Sequence, residues 1–459
     1  MAVASVMLIW ARREKKSLDA GFRYILVHMF GGLMLLAGIL LRLRETGNLE
    51  IGTIHSHTLA SWLILFGFAL NAAVPPLSAW LADAYPESTI TGGVFLSAFT
   101  TKTAVYVLIR VFPGWEILVW FGAIMAIYGI VFGVMENDIR RSLAYSIINQ
   151  VGFMVAGVGI GTAMSLNGAA AHAFAHIIYK GLLWMTTGSV LYMTGKSKCT
   201  DLGGLYKMMP LTFICFIVAA LSISSFPLTS GFTTKTMIIQ SAVNNHLNLI
   251  YLLLEIASAG VLLHYVDLVL PIFLGKECKL EASDPKANMV IAMIIFAVLC
   301  IFIGCYPKPL YNILPYTAAY SPYAPAHVIS ILQLLLFSGT AFFVLRPFLK
   351  KTDTITLDTD WFYRKGARAL LGFINHPLAD FGNMGRTLFF DNIPHFLTKF
   401  AEDPQEKILS LILMPWRLRH IPSEEKEVHK IRSIPVGIAV SLAVISLSLF
   451  CLIFFFKMR

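Results

Sequence analysis

One stretch, residues 168–191, constrains this chain more than any other. It is long and apolar enough to cross a bilayer, yet it carries His172, His176 and Lys180 at i, i+4 and i+8. At about 1.5 Å rise per residue, these groups stand roughly 6 Å apart along one slowly drifting helix face. That separation is too long for a direct hydrogen bond and suits one bridging water. A lysine at mid-membrane costs about 2.5–3.5 kcal/mol on insertion scales. Three ionisable groups on one face therefore predict a polar, hydrated seam between helices, suited to moving protons or small cations.

The rest of the sequence supplies neighbours for that seam. Of 459 residues, 57% are hydrophobic and only 14% charged, against about 25% charged in a soluble chain. The fold class is an all-α polytopic membrane protein. Eleven full spans are expected near 24–43, 57–76, 92–112, 115–134, 142–162, 167–194, 209–230, 248–274, 288–306, 326–348 and 434–456. Residues 1–10 reach about 15 Å, half a hydrocarbon core, and read as the second half of a spanning helix. A net charge of +10 suggests nucleic acid in a soluble protein; here the basic residues sit mostly in loops, which argues for membrane orientation instead. Arg12, Arg13, Lys15, Lys16, Arg140, Arg141, Lys196, Lys198, Lys207, Lys276, Lys279 and Lys286 fall on one side, with Arg42, Arg44, Arg110 and Lys308 as exceptions. The positive-inside rule makes that side cytoplasmic, and the expected location is the plasma (inner) membrane, crossed many times.

Residues 349–433 differ in composition. Pro377, Pro394, Pro404, Pro415 and Pro422 are expected to cut them into pieces, with amphipathic stretches at 361–374 and 406–413 lying in the membrane interface on the cytoplasmic side. A C-terminal span at 434–456 would anchor them. Cys199, Cys215, Cys278, Cys300, Cys305 and Cys451 contain no CxxC pair, so neither a disulfide frame nor a metal site is indicated.

Two spans are interrupted, at Asn71-Ala-Ala-Val-Pro75-Pro76 and at Phe226-Pro227-Leu-Thr-Ser-Gly231. Proline removes a backbone donor and clashes with the preceding turn. Broken helices at membrane depth are tolerated where they line protein or water, and a pair of them points to an ion pathway; a plain proline kink is the alternative for either alone. The pentapeptide FTTKT occurs at 99–103 and again at 232–236, but the two copies sit differently relative to the breaks. Lys102 lies too deep in its span to reach the interface. For Lys235, just past the second break, snorkelling stays open. His172 and His176 could be satisfied core histidines, a metal pair or a proton relay. No acidic residue or cysteine lies nearby to complete a metal shell, and histidine titrates near neutrality, so the relay is preferred and no metal or cofactor is expected. His28, Glu255, His264 and Asp267 are weaker candidates. No nucleophile elbow, P-loop or dinucleotide fingerprint is present, so no catalytic site of its own is expected.

At these residues the chain resembles the antiporter-like subunits of respiratory complex I and of Mrp-type multisubunit Na+/H+ antiporters. The motifs are Gly67-Phe-Ala-Leu-Asn-Ala-Ala-Val-Pro-Pro-Leu-Ser-Ala-Trp-Leu-Ala-Asp-Ala-Tyr-Pro86, Lys102-Thr-Ala-Val-Tyr-Val-Leu-Ile-Arg110, Asp138-Ile-Arg-Arg-Ser-Leu-Ala-Tyr-Ser146, the His172/His176/Lys180 helix, Asp201-Leu-Gly-Gly-Leu and Ser230-Gly-Phe-Thr-Thr-Lys235. The resemblance implies two inverted five-helix repeats, each with a discontinuous helix, and a central chain of lysines, histidines and water. It divides the chain into an incomplete first repeat with the start of the second (1–134), a second repeat bearing the His/Lys seam (115–275), two further spans (276–348), a lateral segment (349–433) and an anchor (434–459). The lateral segment and anchor resemble those of the distal antiporter-like subunit of complex I.

Three departures stand out. The family has four or more helices before the point matching Met1, and a glutamate just before it, so an N-terminal truncation is expected. The family's lysine at the first break is Asn71 here. The polar site of the span 142–162 reads Asn149-Gln150, where some members place a histidine. The expected function is translocation of H+ or Na+ by a subunit of a multisubunit, redox-driven or Mrp-like complex, along Lys102, His172, His176, Lys180 and Lys235. Its partners would be other membrane subunits and lipid. The rival expectations are a non-conducting scaffold subunit and a cation-coupled transporter of another solute such as bicarbonate.

Overall fold

The computed structural model describes residues 2–404 apart from 49, 277–280, 319, 349–350, 353–357, 376–378 and 403. The span expected at 434–456, the stretch 406–413, Cys278 and Cys451 lie outside the described residues. The described residues form helices α1 (Ala2–Trp10), α2 (Lys15–Thr46), α3 (Leu59–Asn71), α4 (Ala79–Ala84), α5 (Ile90–Val111), α6 (Glu116–Met135), α7 (Ile139–Ile160), α8 (Ala163–Thr194), α9 (Leu205–Met208), α10 (Pro210–Ile223), α11 (Ser230–Asn244), α12 (Asn248–Phe273), α13 (Ala287–Cys305), α14 (Lys308–Tyr311), α15 (Pro325–Leu345), α16 (Asp360–Phe373), α17 (Ala379–Arg386) and α18 (Ile393–Glu402). Among the described residues there is no strand. Met1–Phe362 forms one unit and Tyr363–Arg459 a second.

Seven helices of the first unit are long and apolar enough to span by themselves. The seam helix α8 is longer than most but diluted by its polar residues. The two interrupted spans appear as α3 followed by α4 and as α10 followed by α11. Hydropathy ends the seventh span at 230 and assigns the next residues to a loop. Instead Ser230–Asn244 continues as a helix whose first thirteen positions are almost entirely buried. Its Ser, Thr and Lys content hides it from a hydropathy argument.

The centre of the first unit is α7. Its glycines and those of α6 let the two backbones touch. A Cβ on Gly122 would lie 2.3 Å from the backbone nitrogen of Ala156, and one on Gly129 would lie 2.4 Å from that of Asn149. Small residues permit such approach where helices meet in a membrane. Asp138 caps α7 by accepting from the Arg141 amide at 3.0 Å, as N-cap carboxylates do. Arg140, expected among the loop charges, is instead buried at 2% exposure. Its guanidinium donates to the carbonyls of Pro86 (2.8 Å), Ser88 (2.9 Å) and Thr89 (3.1 Å) and lies over the Trp184 ring. It ties the segment between α4 and α5 to α7, so it reports packing and not orientation.

The two breaks close by the same hydrogen-bond pattern. Two residues past the end of α3, Ala73 takes φ +63°; two past α10, Ser225 takes φ +61°. The Ala73 and Val74 amides donate to Leu70 and Ala69 carbonyls, both at 3.0 Å. The Ser225 and Phe226 amides donate to Ser222 (3.1 Å) and Leu221 (3.0 Å). This is a Schellman ending with a non-glycine residue in the left-handed position. That placement costs about 1–2 kcal/mol, so the packing around each break must impose it.

In the second unit the expectation of a proline-cut segment is corrected at Pro394. Helix α17 passes through a π-helical turn, Thr387–Asn392, directly into α18. A π turn widens the backbone ladder, which gives the proline ring room where an ordinary turn would clash.

Candidate functional site

The polar line predicted from sequence is buried within the first unit. Lys102 is 7% exposed, and His172, His176, Lys180 and Lys235 are 0% exposed. Snorkelling is therefore excluded for Lys235. α8 packs against α5, α7, α10, α11 and α13, so its polar face meets protein on every side.

Each group has distinct surroundings. His172 Nδ1 meets the Thr234 hydroxyl at 3.0 Å, and Nε2 meets Gln150 Oε1 at 3.1 Å. The Tyr179 hydroxyl donates to the same Gln150 oxygen at 3.2 Å. Gln150, in turn, donates to Asn149, whose own amide donates to the Ala126 carbonyl at 2.6 Å. Lys180 donates to the hydroxyls of Ser146 and, at 3.1 Å, Tyr265. Lys102 donates to the Ser97 carbonyl at 2.6 Å and the Thr101 hydroxyl at 3.2 Å. Among the described residues His176 has no partner at either ring nitrogen. A buried polar group left unpaired costs about 1–3 kcal/mol, so this ring is suited to an exchangeable partner such as water.

Lys235 sits at the second break. Its ammonium donates to the Ile223 carbonyl, on the last residue of α10, at 3.2 Å and lies 5.0 Å from the Phe153 ring centroid. The C-terminus of a helix carries a partial negative charge of about half an electron, which favours a cation there. At the first break, the Trp80 indole donates to the carbonyl of Leu70, the penultimate residue of α3, at 3.1 Å. Asn71 turns back on its own helix, donating to Gly67 at 3.0 Å. One broken helix thus ends on a charged donor and the other on neutral ones.

These charges act on one another. His172 feels Lys235 and Lys102, His176 feels Lys102 and Lys180, and Lys235 feels Glu255 on α12. The structure therefore brings together all five primary residues, with Gln150 and Asn149 beside His172. The hydrogen-bond partners of His172 and Lys180 are side chains of α7, α8, α11 and α12. Ser146, Tyr179, Thr234 and Tyr265 do not stand out in the sequence. Only Tyr179 has a local signal, lying seven positions after His172 on the same helix face. Among the described residues no three His, Cys, Asp or Glu side chains converge to hold a metal.

Gln150→Leu is expected to leave the His172 ring and the Tyr179 hydroxyl short of an acceptor, lowering stability by about 1–3 kcal/mol. Thermal unfolding of the purified complex measures it, with Gln150→Glu as a comparison that keeps the acceptor.

Fold and site together define a multi-pass, all-helical membrane protein in which a buried row of ammonium and imidazole groups runs past two discontinuous helices. Residues 1–260 match the family described as NADH:quinone oxidoreductase/Mrp antiporter, TM, and the chain belongs to that family. It is similar to hydrogenase-4 component B of Escherichia coli (strain K12), at 27% identity over 66% of this chain and 52% of the relative. It is also similar to NADH-quinone oxidoreductase subunit N of Desulforudis audaxviator, at 31% identity over 48% of each. The chain thus spans about half the length of these relatives. A chain of the Mrp complex from Dietzia sp. DQ12-45-1b shares the fold, with a TM-score of 0.62, 23% identity and coverage of 70% of this chain and 71% of that one.

Proposed function

We infer that this chain is an ion-translocating, antiporter-like subunit of a multisubunit membrane complex, and that Lys102, His176, His172, Lys180 and Lys235 relay protons through it. The observation that carries this reading is the burial of all five groups, each within electrostatic reach of at least one other. Retaining so many ionisable groups at membrane depth costs several kcal/mol, which a purely structural bundle has no reason to bear. Family membership supports it, as do relatives named as components of a hydrogenase and of a quinone oxidoreductase. The partners are then other membrane subunits, the residence the plasma membrane, and the two breaks belong to inverted repeats within 1–134 and 115–275.

For the first half a holding role has a specific observation in its favour: among the described residues no lysine side chain bonds the first break, where Asn71 bonds its own helix. The test is Lys180→Ala in the assembled complex. Proton translocation should fall about tenfold or more, a barrier raised by about 1.4 kcal/mol, while the complex assembles normally. Unchanged translocation at normal assembly overturns the reading in favour of a scaffold.

A further inference from the structure

Beyond the central row, a second set of buried groups leads from Lys180 toward the end of the first unit that bears Arg141, Lys198 and Lys276. The Tyr265 hydroxyl meets Ser146 Oγ at 2.8 Å, beside Lys180. The neighbouring His264 is 0% exposed, and its Nε2 meets Ser142 Oγ at 3.2 Å while Nδ1 has no partner. The fields of Lys351 and Lys180 both reach His264. Ser142 and Ser146 share a face of α7. His264 and Asp267 do the same, one turn apart on α12.

Asp267 closes this route. Its carboxylate pairs with the Lys351 ammonium at 2.8 Å, and both side chains are under 10% exposed. Lys351 also donates to the carbonyls of Val134 (2.6 Å) and Glu136 (2.9 Å), at the C-terminus of α6. Seven residues later, Asp358 accepts from the hydroxyls of Tyr128 and, at 2.7 Å, Tyr145. Lys351 and Asp358 are thus each held against the first unit's core. Glu136 and Arg141, also nearby, pair with each other at 3.1 Å. Outside the ion pair lies a cavity of about 770 Å³ whose deep wall includes buried Cys199 and Asp267 and whose rim carries exposed Lys276 and Arg346.

We propose that this cavity is a proton port to the Lys180 branch and that the Lys351–Asp267 pair is its gate. The proposal rests on the translocation reading above. With Lys351 lifted, Asp267 takes a proton from cavity water and passes it toward His264, and the Ser146 and Tyr265 hydroxyls connect onward to Lys180. Hydroxyls and an imidazole in hydrogen-bond contact can hand on a proton but offer no oxygen cage for a metal ion, so the port serves H+ and not Na+. Asp267 stays charged in the closed state because Lys351 is its counter-ion. A carboxylate at this depth without one is strongly disfavoured.

Cys199 reports on the gate. In the assembled complex, with Cys215, Cys278, Cys300, Cys305 and Cys451 replaced by serine, a small water-soluble methanethiosulfonate should label Cys199 slowly. Lys351→Ala and Asp267→Asn should each speed labelling about tenfold or more, equivalent to about 1.4 kcal/mol of lost closure. Lys351→Ala should also let protons leak, without dependence on Na+, when the driving reaction is off; Asp267→Asn, which lacks the carboxylate that takes the proton up, should not leak. Unchanged labelling in either single variant that assembles overturns the gate. Faster labelling of Lys351→Ala without any leak also overturns it, reducing the pair to a tether. A sodium-dependent leak overturns the assignment to protons. Lys180→Ala separates the two readings: it should leave Cys199 labelling unchanged, so its translocation result bears on the function of the row and the labelling result on the gate.

Discussion

Lys235→Met is expected to lower proton translocation about tenfold or more, a barrier raised by about 1.4 kcal/mol, while the complex keeps or gains thermal stability. Methionine fills much of the volume of lysine but removes its charge. The lysine is fully buried, and its ammonium is held by one helix-end carbonyl and an aromatic face. Interaction with a helix terminus contributes up to about 2 kcal/mol in partly buried geometries. The desolvation of a buried ammonium costs several kcal/mol. The second magnitude is the larger, so removing the charge should not weaken the fold. A residue kept for structure would behave in the opposite way, losing stability and sparing transport. Parallel measurement of unfolding temperature and of proton flux in vesicles distinguishes them. Loss of stability with normal flux sinks the role assigned to Lys235.

Gly231→Val should have the largest structural effect of any single substitution at the breaks. A Cβ at Gly231 would stand 1.8 Å from the Ser222 carbonyl oxygen, and that oxygen accepts the Ser225 amide in the closing turn of α10. The obstructing atom is main chain, so relief requires opening the break itself. Overpacking costs about 1–3 kcal/mol when side chains can yield, and here they cannot, so the amount of assembled complex should drop severely. Gly339→Val is the control, because a Cβ at that position of α15 meets nothing within 4 Å. Equal assembly of the two variants would refute the account of the break.

Much of this is legible without coordinates. Hydropathy locates the long spans, prolines locate the breaks, and the spacing of His172, His176 and Lys180 locates the seam. What escapes has identifiable causes. α11 reads as polar because Ser230, Thr233, Thr234 and Lys235 face inward, and a transfer scale cannot tell an inward polar face from a loop. Apart from Tyr179, the partners of His172 and Lys180 come from α7, α11 and α12, so their meeting depends on tertiary packing that no local pattern encodes. Lys351 comes after a span and before a proline-rich stretch, a setting that predicts a solvated lysine. Its burial is caused by the carbonyls at the end of α6 and by Asp267, both far away in sequence. Pro394 misleads because a proline breaks an α turn, whereas the chain here adopts a wider one.

The matching ends of α3 and α10 carry a lesson about substitution. Their electronegative poles are made of main-chain oxygens, which no exchange of side chains deletes. Whatever occupies positions 71, 80 or 235, each half-helix keeps its pull on a positive visitor. The chemistry at either gap is therefore free to drift, from ammonium to indole or amide, while the scaffold that would welcome a returning cation stays in place.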